Sequence, residues 1–135
     1  MADDSTMGNR GRAVGFTTAG ELPVFREVAG HTKPVPFILT SDMFGGIPVE
    51  LGGAEISGLV GRPVADPHVH EVPEVYLVFA PEPGQAEIEV MVEGKDYVVT
   101  APGALYVPAG MRHRFVTRKA VPGSFCFGLF LLAGT

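Results

Sequence analysis

The chain has 135 residues, a length that fits one domain with a single hydrophobic core. Its 18 glycines and 12 prolines interrupt runs rich in valine, isoleucine and phenylalanine, which is typical of short strands joined by turns and disfavours long helices. The net charge of −5 argues against nucleic acid, whose phosphates require a basic surface, and favours a small organic molecule as the partner.

The N-terminal residues 1–20 are polar and without periodicity, which predicts a flexible arm ahead of one barrel domain over 21–135. The arm begins with acidic residues and has no apolar segment of the kind found in secretory signals. The longest apolar run, 124–134, is well short of the ~20 residues that a membrane-spanning helix needs. We therefore expect a cytoplasmic protein that does not contact membranes.

Short apolar or alternating runs between turn residues predict roughly nine or ten strands and no helix. Adjacent glycines within residues 42–53 indicate a loop or hairpin, and residues 93–96 are typical of a tight hairpin turn. His31 lies beside a glycine in a turn, where we expect it to be solvated, with a fifth metal ligand or a proton carrier as alternatives. The predicted strands include 22–28, 35–40, 54–60, 75–80, 86–92, 97–100 and 124–133.

Three of the four histidines fall in two stretches, 67–78 and 101–115. Side chains alternate along a strand, so His68 and His70 share one face, and Glu74 joins them if the chain does not turn at Pro73. His113 follows a turn and must belong to a different strand. Imidazole nitrogens and a carboxylate oxygen suit iron, manganese, nickel, copper or zinc, which predicts a site for one divalent transition metal.

The spacing HxHxxxE at His68, His70 and Glu74, followed by Pro-x-Gly and then His113, resembles the two motifs of the cupin superfamily. The sequence departs from the family pattern in its loop spacings and at Thr117, where the family has an asparagine. It implies an all-β fold, an antiparallel jelly-roll β-barrel of the double-stranded β-helix type. It also implies that His68, His70, Glu74 and His113 are the metal ligands.

Strand parity extends the predicted site to residues that share a face with the ligands. Glu74 and Tyr76 are the candidate catalytic residues, with packing in the cavity wall as the alternative for Tyr76. Glu71 is expected to be exposed unless the turn at Pro73 brings it inward as a base. Arg112 and Arg114 flank His113 and either bind a substrate carboxylate or are solvated. The predicted substrate-binding residues are Tyr76, Val78, Arg112, Phe115 and Thr117.

Three neutral imidazoles and one carboxylate leave a divalent ion with a net positive charge, which suits an enolate or a 2-oxo acid. We expect a metal-dependent enzyme acting on a small, largely apolar, oxygen-chelating substrate, and a dioxygenase is the favoured activity. An oxygen-independent Lewis-acid isomerase, cyclase or lyase is the alternative within the enzyme class. A non-catalytic small-molecule-binding protein is the alternative outside it, and it is disfavoured because no output domain accompanies the barrel.

The strand predicted over 124–133 is apolar on both faces, whereas a barrel strand needs only one apolar face. We expect the outer apolar face to lie against another sheet or another subunit, and a homodimer is the simplest such arrangement. Cys126, the chain's single cysteine, lies in this strand, and we expect a small buried hydrophobe there instead of a redox centre or a metal ligand.

Overall fold

The computed structural model describes residues 20–132. In this part of the chain the helical content is confined to two short 3-10 turns, Met43–Gly45 and Ser57–Leu59, and no helix is long and apolar enough to cross a membrane. The strands are β1 (Val24–Arg26), β2 (Val35–Leu39), β3 (Val49–Glu55), β4 (Glu74–Phe79), β5 (Ala86–Val92), β6 (Lys95–Thr100), β7 (Gly103–Val107), β8 (His113–Ala120) and β9 (Phe125–Leu131).

The strands form two antiparallel sheets, one of six strands in the order β1-β2-β3-β9-β4-β7 and one of three in the order β6-β5-β8. In the larger sheet β1, β2 and β3 follow chain order, and β9 then lies between β3 and β4. A parallel bridge between Val60 and Thr117 and an antiparallel bridge between His68 and His113 join β8 to segments outside the named strands. The predicted antiparallel jelly roll is confirmed.

The core lies between the inner faces of the two sheets. Along β5 the apolar side chains of Ile88 and Val90 are fully buried, while Glu87 and Glu89 point outward, as their alternation predicts. Tyr76 and Val78 of β4 are buried from the other side. The first residues of β4 and β8, Glu74 and His113, are buried at one end of this core.

The prediction of a strand over 54–60 was wrong, because β3 runs over Val49–Glu55 and is followed by a 3-10 turn. The adjacent glycines Gly52 and Gly53, which suggested a loop, lie in mid-strand opposite Gly128 and Phe127 of β9. A Cβ atom at Gly53 would overlap the Cys126 carbonyl oxygen. These glycines permit close approach of two backbones, a tertiary requirement that local sequence does not reveal.

The hairpin predicted at 93–96 is present, and its turn is formed by Glu93 and Gly94 at φ angles of 50° and 83°. Positive φ at both central positions matches the right-handed twist of the flanking strands. Strand β6 consequently begins at Lys95, two residues before the predicted start. The flexible arm predicted over 1–20 falls outside the described residues except for Gly20, and so do the last residues of the C-terminal strand prediction.

Candidate metal centre

The histidines meet where the segment before β4 runs beside the start of β8. His68 and His113 exchange two backbone hydrogen bonds of 3.0 and 2.9 Å, which makes them direct cross-strand neighbours. The His70 carbonyl accepts a hydrogen bond of 2.9 Å from the Gly110 N–H, which fixes the Pro-x-Gly turn under the same segment. One ligand nitrogen from each of His68, His70 and His113 lies within 4.8 Å of the other two.

Two of the imidazoles are held by backbone carbonyls. The Nδ1–H of His68 donates to the Asp66 carbonyl at 2.7 Å, and the Nδ1–H of His113 donates to the Met111 carbonyl at 2.8 Å. Such bonds fix the ring orientation and the tautomer, and they leave Nε2 as the nitrogen that faces the cluster. Burial lowers the pKa of His68, so its imidazole is neutral at physiological pH.

Of the three clustered histidines, His70 is the one whose Nε2 is buried without a hydrogen-bond partner. The nearest charged atom, Glu74 Oε1, lies 3.4 Å from this nitrogen. Burial lowers the pKa of His70 to about 4, against the opposing charge of Glu74, so the ring is neutral and its lone pair is available. A buried polar atom without a partner costs free energy, and coordination of a metal would remove that cost.

Glu74, the first residue of β4, places its carboxylate against the same cluster. Its Oε1 accepts a hydrogen bond of 3.0 Å from His113 Nε2, which requires the doubly protonated ring, because the Nδ1–H already donates to Met111. Burial alone would lower the pKa of His113, but the hydrogen bonds to Glu74 and Met111 and the Glu74 charge outweigh it and raise that pKa. Protons and a metal ion therefore compete for this nitrogen. Three imidazoles and one carboxylate, all buried or nearly so, fit a divalent transition metal.

A glycine on the neighbouring strand makes room for this carboxylate. Gly128 of β9 is paired with Tyr76 of β4 and with Gly52 of β3, and a Cβ atom there would overlap Glu74 Oε2. The sequence analysis did not single out Gly128. An isolated glycine inside a strand pattern is the signal that marks such a close approach.

The cluster opens onto a cavity of about 350 Å³ between the larger sheet and the loops above it. His68, Glu74 and Tyr76 form the metal end of its lining. Phe130 connects this end to the apolar wall, since its ring lies 4.9 Å from that of His70 and 6.2 Å from that of Phe37. The result is a largely apolar chamber with a polar, metal-ligating end.

Of the four substrate-binding residues predicted from strand parity, two line the cavity and two do not. Tyr76 and Phe115 line the cavity with their rings 5.4 Å apart. Burial, with the charge of Glu74, raises the pKa of Tyr76 well above its ordinary value, so the phenol stays protonated. Val78 and Thr117 are buried on the predicted face but lie outside the cavity lining, because they are one strand repeat deeper in the core.

The two arginines that flank His113 point away from the cavity. Strand alternation puts them on the face opposite His113. Arg112 is exposed, and its backbone N–H donates to Glu93 Oε2 at 2.7 Å. Arg114 lies in a shallow cleft with Glu89 and Asp96 on the outer side of the smaller sheet. Glu71 is exposed, as expected.

The cations that do line the cavity are Lys33 and Arg62, on loops that carry no motif. His31 also lines it and is half-buried, with its ring 4.9 Å from that of His68. Its Nδ1 lies 3.3 Å from the Ala29 carbonyl. All three residues lie between the named strands, where chain order gives no signal of proximity to a site.

No family model matches the chain, and no curated protein matches its sequence. Solved structures do match. AerE from Microcystis aeruginosa has a TM-score of 0.58 at 13% identity, over 82% of this chain and 46% of AerE, so the chain spans about half of that protein. A cupin protein from Bacteroides fragilis has a TM-score of 0.54 at 13% identity, over 82% of this chain and 86% of its own.

A third match, described as a predicted oxalate decarboxylase from Thermotoga maritima, has a TM-score of 0.53 at 18% identity, over 82% of this chain and 93% of its own. Likeness at these identities shows architecture and leaves activity open. With its jelly-roll topology and the three-histidine cluster at the mouth of the barrel, the described chain has the cupin fold.

Proposed function

We propose that this protein is a metal-dependent cupin enzyme, a dioxygenase that acts on a small, largely apolar substrate bearing an oxygen chelator. One observation carries the proposal. The ligand nitrogens of His68, His70 and His113, with the Glu74 carboxylate beside them, converge at one end of an apolar cavity. A ligand cluster that opens onto a substrate-sized chamber is the arrangement of a catalytic metal site.

A divalent metal, which the three histidines and Glu74 would hold, would supply a Lewis acid that polarises substrate oxygens. The protein residues around it have separate tasks. Glu74 would balance the positive charge of the ion and accept a substrate proton at its carboxylate. Tyr76, whose phenol stays protonated, donates a hydrogen bond to a substrate oxygen. Phe37 and Phe130 exclude water from the apolar part of the substrate.

The cavity wall favours this substrate class over a sugar. Four aromatic side chains line it, and its described lining contains no asparagine, glutamine or aspartate. A sugar would require several such groups to satisfy its hydroxyls.

The test begins with metal analysis of protein purified without added metal. Oxygen consumption is then measured on a panel of phenols, β-diketones and 2-oxo acids, with iron-, manganese- and nickel-loaded protein. We expect turnover that requires both metal and oxygen. Unchanged turnover under strict anaerobiosis would replace the dioxygenase with a Lewis-acid isomerase, cyclase or lyase. Binding of these compounds without any conversion would favour a non-catalytic binding protein.

A further inference from the structure

The rim of the cavity is fixed by hydrogen bonds between two loops. It is formed by the loop between β1 and β2 and the segment that follows the Ser57–Leu59 turn. The N–H and the hydroxyl of Thr32 both donate to the Val64 carbonyl at 3.2 Å, and the Asp66 N–H donates to the Gly30 carbonyl at 2.8 Å. Gly30 lies so close to His68 that a Cβ atom there would be 2.8 Å from that of His68. The rim is thereby attached to the metal end.

This rim carries two positive charges, Lys33 and Arg62, and both line the cavity. The Arg62 Nη2–H donates to the Gly58 carbonyl at 3.1 Å, which holds the guanidinium at the mouth. Among residues 20–132, neither cation has a carboxylate within ion-pair distance. The one carboxylate in the described lining, Glu74, is turned to the histidines.

Only Arg26 and Arg118 among the described lysines and arginines form ion pairs, so the missing carboxylate partner alone does not distinguish the rim. What distinguishes Lys33 and Arg62 is their position in the lining of an apolar cavity. The guanidinium and ammonium groups recognise carboxylates, and they do so best beside an apolar wall that limits competing water. The rim is therefore suited to bind an anion.

We propose that the cavity selects organic carboxylates with an aromatic or apolar body, and that Lys33 and Arg62 bind the carboxylate at the rim. This inference rests on the proposed function, in which another substrate oxygen faces the histidine cluster. The apolar body of the substrate packs against Phe37 and Phe130. Lys33 and Arg62 are thus specificity-determining residues that line the cavity without belonging to the ligand cluster.

The test compares two probes of equal shape, naphthalene-2-carboxylate and naphthalene-2-carboxamide, by calorimetric titration of zinc-loaded protein. Zinc is redox-inert, so no turnover disturbs the measurement. The variant is Lys33→Gln with Arg62→Gln. The control is Arg112→Gln with Arg114→Gln, which removes the same two charges at positions outside the cavity. Zinc content of every sample is measured to establish that the metal end is intact.

We expect the rim variant to bind the carboxylate about tenfold more weakly than the control variant does, because two partly exposed charge contacts are lost. The carboxamide should bind all variants within about twofold. Equal losses of carboxylate affinity in the rim and control variants would assign the preference to net charge and overturn the proposal. So would an equal affinity of wild-type protein for both probes, or binding of neither.

Failure of this inference is distinguishable from failure of the proposed function. Absence of a carboxylate preference in wild-type protein that retains metal and turnover rejects the rim alone. A carboxylate preference without any turnover supports the rim and rejects the enzyme. If the double variant does not fold, Lys33→Gln and Arg62→Gln are titrated singly, and each should lose about threefold against Arg112→Gln.

Discussion

The two faces of strand β9 have different compositions and different surroundings. On the inner face Cys126, Gly128 and Phe130 line the cavity. Cys126 and Gly128 are small, and the Phe130 ring packs against His70. Outward, every residue is large and apolar, and the outer residues of the neighbouring strand β4 are apolar as well. The outer face of the smaller sheet is different, since it carries the ion pair of Arg118 with Glu89 and a cleft that contains Arg114. The outward residues of β9 and β4 are Phe125, Phe127, Leu129, Leu131, Val75, Leu77 and Phe79.

The comparison indicates that one strand serves two purposes. Its inner residues provide space and orientation for chemistry, whereas its outer residues provide contact area. Because adjacent side chains in a strand point to opposite faces, a substitution on one face should leave the property of the other unchanged. The predictions below test this separation, beginning with the largest expected effect.

Replacing His70 and His113 together by alanine should abolish metal retention, because two of the three clustered imidazoles are lost. Metal content after purification is the measurement. His31→Ala is the matched control, since it removes a histidine that lies beside His68 but outside the three-histidine cluster. The control should retain metal. Full occupancy in the double variant would reject the ligand assignment.

Gly128→Ala should lower metal affinity by about 10- to 100-fold while the barrel remains folded. The new methyl group would occupy the position of Glu74 Oε2, and the flexible carboxylate would have to move away from the histidines. Metal affinity is measured by chelator competition, and folding by thermal denaturation. Gly58→Ala is the control, because a Cβ atom there meets nothing within 4 Å. Equal affinities in the two variants would show that Glu74 contributes little to binding.

Much of the fold could be predicted because alternation is a local property. The strand over Ala86–Val92 and the turn at Glu93 and Gly94 follow from side-chain parity and from the residues that positive φ requires. Spacing also puts His68 and His70 on one side of the segment before β4, whereas the approach of His113 from the start of β8 was implied by the cupin resemblance. For the strand, the turn and the His68–His70 pair, the necessary information lies within a few residues of the chain.

Other features could not be predicted because they depend on contacts between distant segments. Gly52 and Gly128 look like strand breakers, yet their missing side chains form the space beside Glu74 and Phe37. Lys33 and Arg62 reach the cavity through loops whose positions are set by backbone hydrogen bonds to other segments. Arg112 and Arg114 are nearer in sequence to the ligand His113 than Lys33 and Arg62 are, but strand parity directs their side chains outward.

The outer face leads to a prediction about assembly. We propose that a second copy of the chain covers it, because Phe79 and Phe125 are directly paired across β4 and β9 and remain 48% and 37% exposed. Replacing both by glutamate should shift the protein from dimer to monomer in sedimentation at micromolar concentration. Metal content should not change, since both side chains point away from the cluster.

Val98→Glu is the control for this experiment. Val98 is 61% exposed on β6, in the smaller sheet, so the same charge is added to the other outer face. The control should remain dimeric. A wild-type protein that sediments as a monomer would contradict the proposal, and the apolar face would then need cover from residues 1–19.

The smallest effect concerns Cys126, on the inner face between the two outward phenylalanines. Burial, with the charge of Glu74, raises the pKa of its thiol, so the reactive thiolate is scarce at neutral pH. We expect native protein to react with Ellman's reagent only on the timescale of unfolding, and urea-unfolded protein to react at once. A Val98→Cys variant should add one thiol that reacts quickly in the native state, since that position is open to solvent. Rapid reaction of native wild-type protein would show that the reagent enters through the cavity, and the inner face of β9 would then be more accessible than its packing implies.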